Sequence, residues 1–173
     1  MLYQGWGLFQ SYARAHVSCS CGSSVAEAVS LGCKYDSLSS AWLPQHCRDD
    51  ELTDEFNNQI PKEFGGSWPY YLDMNDTSRV VTEEEIAAQA DREDIYYTVH
   101  KYHIAHCIFN WMREHRAAEG RSFLPRGSSG IQHPRHCYDV VMLRNPLDTV
   151  NVAFTPQVNA DIVERPSRYN RHQ

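Results

Sequence analysis

The chain has 173 residues, about the length of one domain. Its 22 acidic and 16 basic residues give a net charge of −6, which argues against nucleic-acid binding, because such surfaces need clustered Lys and Arg. The 42% hydrophobic and 22% charged content is that of an ordinary globular protein. No stretch approaches the ~18–20 apolar residues of a membrane helix, so we expect membrane contact only through a segment absent from this chain.

Cysteine number and one sequon indicate the cellular compartment. Six Cys are an even number, as three disulfides would require, although six cysteines allow fifteen connectivities. Asn75-Asp76-Thr77 is a glycosylation sequon in a turn-rich stretch, and it predicts a glycan on Asn75. Together these features predict a protein that is secreted or resides in the secretory pathway. The sequence from Met1 does not have the pattern of a signal peptide, so we expect any targeting segment to be absent from this chain.

In the N-terminal half, capping signals predict two short helices. Ser24-Val25-Ala26-Glu27 has the form of a capping box and opens a helix that Gly32 closes. A second helix is predicted from Asp49 or Asp50 to about residue 59. Both helices lie between or just after the four N-terminal cysteines.

The middle of the chain is predicted to contain one strand and two helices. The aromatic segment 68–73 fits a short edge strand. Residues 82–85, Thr-Glu-Glu-Glu, form a second capping box for a helix through residue 90. The clearest helix is predicted over 94–119, because apolar and aromatic residues recur there at spacings of three and four. This stripe comprises Ile95, Val99, Tyr102, His106 and Phe109.

The C-terminal part is predicted as a loop over 121–130, a helix over 132–144 and an edge strand over 150–154. For the whole chain we predict a flexible lead-in at 1–18, one metal-binding helical domain at 19–150 and an extended tail at 151–173. The predicted fold class is mainly α: a small irregular helical domain with disulfides, in which two motif helices pack around a His-rich metal site. At most one or two short strands are expected.

One short pattern occurs twice in the chain. Residues 103–107 and 133–137 both read His-x-x-His-Cys. On a helix, positions i and i+3 share one face, and the Cys at i+4 from the first His lies only about 40° further round. The twelve-residue connection permits the two helices to pack antiparallel. The pattern therefore predicts that four imidazoles and two sulfurs converge, as in metal sites built inside helical bundles.

The donor set restricts the metal. A single His-x-x-His pair usually has no metal role, but the repeated five-residue pattern favours ligation by His103, His106, His133 and His136. Imidazoles suit Cu, Zn, Fe and Ni, whereas hard cations prefer oxygen. Reduced Cys107 and Cys137 would complete a closed zinc site. In an oxidising compartment these cysteines would instead form disulfides, with each other or with the N-terminal cysteines. Four His with no thiolate leave an open site that suits redox copper.

The doubled motif resembles the signature of the fungal UstYa-like proteins. The wider sequence is similar to small secretory-pathway members of that group, and the resemblance covers about residues 19–145. The residues that carry it outside the doubled motif are Cys21-Gly22, Glu27-Ala28, Gly32-Cys33, Tyr35-Asp36, Trp42-Leu43-Pro44, Cys47, Glu51-Leu52, Trp68, Tyr70-Tyr71 and Asp73.

The resemblance implies a copper-dependent oxidoreductase that tailors a fungal secondary metabolite or peptide, with dioxygen as oxidant. The implied reactions are C–H oxidation, oxidative cyclisation, desaturation and halogenation. The four motif histidines would be the catalytic copper ligands, and Cys107 and Cys137 would be either disulfide partners or further ligands. His100, Tyr102 and Asp139 are close enough in sequence to orient the ligands. A homo-oligomer, or a hetero-oligomer with a related protein, is compatible with such a role.

Two alternatives of other classes remain at the level of sequence. A zinc-dependent hydrolase or lyase would use a metal-bound hydroxide and would need a nearby general base. Glu114 and Glu119 are more than a turn from the motif, and no His-Glu-x-x-His is present. A non-redox binding or cyclase scaffold would have a structural metal or none.

Overall fold

The computed structural model describes residues 17–58, 64–125 and 128–161. Five α-helices and five strands alternate irregularly along this part of the chain. In chain order they are α1 (Val25–Ser30), β1 (Lys34–Asp36), β2 (Ala41–Leu43), α2 (Asp50–Asn58), β3 (Tyr70–Tyr71), α3 (Glu83–Ala87), β4 (Tyr96–Val99), α4 (His100–Ala118), α5 (Gln132–Met142) and β5 (Val150–Phe154), with a 3₁₀ turn at Gln45–Cys47 before α2.

The strands form two small antiparallel sheets. β1 and β2 make a hairpin in which Tyr35 lies opposite Trp42. The second sheet has the order β3-β4-β5, with β4 in the centre. The predicted mainly α fold class is therefore wrong: the described part of the chain is a mixed α/β fold. The strands are only two to five residues long, and those of the second sheet are stabilised by pairing with segments distant in sequence, which local patterns do not reveal. The short hairpin of β1 and β2 was not predicted either.

The helix predicted over 94–119 is correct only from His100. Residues Tyr96–Val99 form the central strand β4, where Tyr97 lies opposite both Tyr71 and Ala153. Apolar and aromatic residues at spacings of three and four, such as Ile95, Val99 and Tyr102, also fit a helical pattern here. Its aromatic and β-branched residues nevertheless favour a strand once β3 and β5 flank it. Val99 then ends the strand and caps α4.

Several local predictions are confirmed. α1 begins after Ser24, whose side chain accepts a hydrogen bond from the backbone N–H of Glu27, and α5 and β5 lie within their predicted limits. Glu27 does not complete the first capping box, because its carboxylate binds Ser23 instead. The second box is complete at Thr82 and Glu85, although α3 ends at residue 87 rather than 90.

α4 runs across the main core. An aromatic cluster joins α2, α4 and the three-stranded sheet: Phe56 lies 5.3 Å from both Trp68 and Tyr102, measured between ring centroids, and Tyr70 lies 5.4 Å from Tyr96. All five rings are buried. This packing fixes the face of α4 that carries Tyr102, and with it the direction of the neighbouring histidines.

Much of the predicted tail is part of the domain. β5 pairs with β4, Asn159 forms a β-bridge with Ser20, and Ala160 packs with Cys19 and Leu43. Residues 1–16 of the predicted lead-in and 162–173 of the predicted tail lie outside the described residues.

Three disulfides join the six cysteines: Cys19–Cys47, Cys21–Cys33 and Cys107–Cys137. No free cysteine is left. This complete pairing is consistent with a protein of an oxidising compartment, such as the secretory pathway. Among the described helices, none combines the length and apolar character needed to cross a membrane.

Candidate metal centre

The two His-x-x-His-Cys motifs lie face to face on α4 and α5. His103 Nε2 is 3.0 Å from His136 Nε2, and the ring centroids of His106 and His133 are 5.6 Å apart. The earlier histidine of α4 pairs with the later histidine of α5, and the later one of α4 pairs with the earlier one of α5. The two helices are therefore antiparallel. The structure thus brings together all four predicted histidines, which we call the histidine cluster.

The two motif cysteines form a disulfide with each other. The Cys107–Cys137 disulfide is fully buried and packs with Val140, under the partial cover of Ile104 and Trp111. A disulfide sulfur is not a thiolate, so the pair does not supply the ligands of a Cys₂His₂ zinc site. Its structural effect is to hold α5 against α4 directly beside the histidines.

His106 is the most buried member of the cluster, with 7% of its surface exposed. Its Nδ1 lies 2.8 Å from the carbonyl oxygen of Leu38, in the turn between β1 and β2. An N–H on Nδ1 that donates to this carbonyl leaves the Nε2 lone pair as an acceptor, which is the common arrangement of a metal-ligating histidine. In this structure the Asn110 amide nitrogen lies 3.3 Å from Nε2. Tyr102 stacks on the ring at 6.4 Å, and Asn110 donates to the His106 carbonyl at 2.9 Å.

Phe154 forms a wall of the cluster that the sequence did not predict. From the end of β5 its ring lies 5.5 Å from His103 and 5.2 Å from His106. The last member, His136, is exposed. The cluster therefore opens to solvent at His136 and is closed by apolar and aromatic groups at His106. Asn110 could have been found from its helical spacing to His106, whereas no sequence pattern points to Leu38 or Phe154.

All four imidazoles have lowered pKa values. Burial, followed by repulsion from His136, lowers the pKa of His103 from 6.5 to about 3. Burial and the neighbouring His133 lower the pKa of His106 well below its ordinary value. Burial lowers the pKa of His133 and of His136 too, and for His136 the carboxylate of Asp139 opposes the shift. The cluster is consequently neutral at physiological pH, and neutral imidazole is the form that binds metals.

The donor chemistry fits an imidazole-preferring metal. The Nε2 atoms of His103 and His136 already face each other at 3.0 Å, a hydrogen-bond distance, and four imidazoles are a donor set that suits Cu, Zn, Fe or Ni. In the described part of the chain, no three or more His, Cys, Asp or Glu side chains have their ligand atoms in place around one point. Binding by three or four of these histidines therefore requires rotation of side chains within the cluster.

We predict that the metal-free protein loses stability in mild acid. Because the native fold keeps His103 and His106 neutral, the unfolded chain binds more protons below pH ~6.5, and the unfolding free energy falls as pH decreases. Each of the two imidazoles contributes about 1.4 kcal/mol per pH unit in this range. Urea unfolding between about pH 7 and pH 5 measures the slope. His103→Gln should reduce it by about one imidazole's share, and an unchanged slope would contradict the assignment.

The other predicted residues have different surroundings. Tyr102 is buried and donates from its hydroxyl to the Ser37 carbonyl at 2.6 Å, so it packs in the core and supports the neighbouring His106 ring. His100 is 1% exposed, and both of its ring nitrogens lack a hydrogen-bond partner in the described structure. Asp139 is exposed and acts on His136 through its charge. Asn75 lies in an exposed turn between β3 and α3, away from these groups in sequence.

Sequence comparison finds similarity to fungal biosynthetic proteins. The chain is 28% identical over 119 residues to phomopsin biosynthesis cluster protein B' and, at the same identity, to cluster protein B, both from Diaporthe leptostromiformis. The match covers 68% of this chain but 34% of either relative, so the chain spans about a third of their length. No protein-family model and no solved structure matches the chain. At this identity the comparison supports distant kinship with fungal secondary-metabolite cluster proteins.

Proposed function

We propose that the chain is a copper-dependent oxidative tailoring enzyme of fungal secondary-metabolite biosynthesis. The observation that carries the proposal is the convergence of four neutral imidazoles, two from α4 and two from α5, beside a disulfide that removes both motif thiols from ligation. An imidazole-only donor set favours copper among the redox metals over harder cations. The similarity to phomopsin cluster proteins supports the metabolic context.

The residues of the cluster divide into ligands and supports. His103, His106, His133 and His136 would hold the metal. When bound, copper supplies one-electron chemistry with dioxygen. The Leu38 carbonyl fixes the His106 ring through its Nδ1–H, and Phe154 excludes water from the buried side. The Leu38 contact orients the His106 ring before a metal binds, and the more exposed histidines would rotate to complete the site.

The exposed side of the cluster determines where a substrate approaches. His136 is exposed, whereas His106 is covered by Tyr102 and Phe154, so a small molecule or peptide reaches the centre beside His136 rather than through the core. A substrate held there is oxidised at a C–H bond, with ring closure, desaturation or group insertion as the class of outcome.

Metal analysis of protein purified without chelator tests the proposal. We expect stoichiometric copper and the electron-spin spectrum of nitrogen-ligated Cu(II). His136→Gln should abolish the signal with little loss of stability, because the ring is exposed. His115→Gln, which removes an exposed histidine from the neighbouring helix α4, is the matched control and should retain copper.

The alternatives give different results in the same measurement. Bound zinc with no copper would point instead to hydrolytic chemistry, and metal-free protein that cannot be loaded would point to a scaffold. Either result contradicts the proposal. In the producing fungus, the His136→Gln strain should accumulate a precursor that is richer in hydrogen or poorer in oxygen than the final metabolite.

A further inference from the structure

The outer side of α5 and the residues that follow it expose an unusual number of large apolar side chains. Ile131, Tyr138 and Met142 each expose about 61–62% of their surface. We call the full set the α5 patch: Ile131, Tyr138, Val141, Met142, Leu143 and Leu147. Single exposed apolar residues are ordinary, but clustered ones mark an interaction surface.

Helix geometry directs this patch away from the histidine cluster. Val140 is buried against α4 with Cys137, and Tyr138 lies about 160° round the helix from Val140. Ile131, Tyr138 and Met142 recur at spacings of seven and four, so they form one outward stripe. A partner on this stripe would leave the inward face of α5, with its metal-site histidines, in place.

Two opposite charges flank the stripe. Arg135 and Asp139 line the same shallow groove as Ile131, Pro134 and Tyr138. They are four residues apart on one helix, yet within the described part of the chain neither takes part in an ion pair. Both charges are therefore available to a molecule that covers the groove.

We propose that the α5 patch is the interface of a two-fold symmetric homodimer. In an antiparallel pair of α5 helices related by a two-fold axis near position 137, Arg135 lies opposite the partner's Asp139, and Asp139 lies opposite the partner's Arg135. The same register brings Ile131 within one residue of the level of the partner's Met142, which lies on the same stripe. A surface that is its own complement in both charge and apolar character is what an isologous interface requires.

The charge pattern favours a second copy over a lipid surface. Membrane-binding helices surround their apolar face with an excess of Lys and Arg. The groove on α5 is bordered by one basic and one acidic residue, which cancel. Tyr, Met and Arg are also residue types enriched at protein interfaces. The inference is independent of the metal and stands whether or not copper binds.

Charge reversal with rescue tests the interface in the full chain. Light scattering after gel filtration should give about twice the 19.9 kDa of one chain. Arg135→Glu and Asp139→Arg should each weaken dimerisation about tenfold or more, because like charges then face each other twice. The double variant R135E/D139R restores both pairs and should return to the dimer.

Val29→Glu is the matched control, since it places a glutamate on an exposed position of another helix, α1. It should leave the dimer intact, and all variants should keep the circular-dichroism spectrum of the parent. A monomeric parent protein would overturn the proposal, as would a monomer that floats with anionic vesicles. Failure of the double variant to recover the dimer would equally refute this pairing of charges.

Discussion

Replacing Arg113 by methionine should destabilise the protein by about 3–5 kcal/mol. Its guanidinium is fully buried in α4 and lies 3.8 Å from the buried carboxylate of Asp36. It also donates to the carbonyls of Cys47 and Phe123 at 2.7 and 3.0 Å. Methionine fills a similar volume but leaves a buried charge without its partner and two carbonyls without a donor. Urea unfolding monitored by circular dichroism measures the loss.

Two variants separate the buried charge from lost packing. Asp36→Asn in the Arg113→Met background removes the uncompensated carboxylate, so it should recover part of the stability. Arg92→Met, which breaks an ion pair between exposed side chains, should cost less than about 1 kcal/mol. A loss at Arg113 as small as that at Arg92 would show that the buried network contributes little.

The Arg113 network also connects the core to the histidine cluster. The guanidinium binds the Ser39 hydroxyl at 2.6 Å, and the adjacent residue Leu38 supplies the carbonyl that fixes His106. The Arg113 network, about two helical turns from His106, thus supports the turn whose carbonyl orients the His106 ring. Loss of Arg113 should therefore reduce metal binding as well as stability.

Local signals predicted most of the helices correctly. Caps and periodicity located α1, α2 and α5 because these elements depend on groups within a turn of each other. They failed at β4, where the same apolar spacing suits a helix or a strand. Pairing with β3 and β5, one of them more than 50 residues away, decides the outcome. The fold class was missed because β4 and the β1–β2 hairpin were not predicted as strands.

The histidine cluster was more predictable than the fold around it. A repeated five-residue motif fixes which side chains share a helix face, and only the packing of α4 on α5 had to be inferred. The supporting residues were not predictable, because Leu38 contributes a backbone carbonyl and Phe154 reaches the cluster from β5. Neither contact depends on a spacing that a sequence pattern can display. The choice of copper stays a prediction that metal analysis has to test.

Removing the disulfide between the motifs, with Cys107→Ser and Cys137→Ser together, should release α5 from α4. The bond closes a loop of sequence separation 30, so its loss should cost about 3–4 kcal/mol. α5 buries only Cys137 and Val140, which leaves little else to hold it. We expect amide exchange in α5 to increase strongly while the core around α4 stays protected. Mass spectrometry of hydrogen exchange measures both regions in one experiment.

The Cys21–Cys33 disulfide provides the matched control. Its loss should cost a comparable, slightly smaller amount, because it closes a shorter loop of separation 12. It joins residues on either side of α1, far in sequence from either motif, so exchange in α5 should not change. Only the 107–137 variant should lose the copper that we propose for the cluster along with α5 protection, since it alone separates the pair His133 and His136 from the pair on α4. Unchanged protection of α5 in that variant would show that side-chain packing, rather than the disulfide, positions the second half of the cluster.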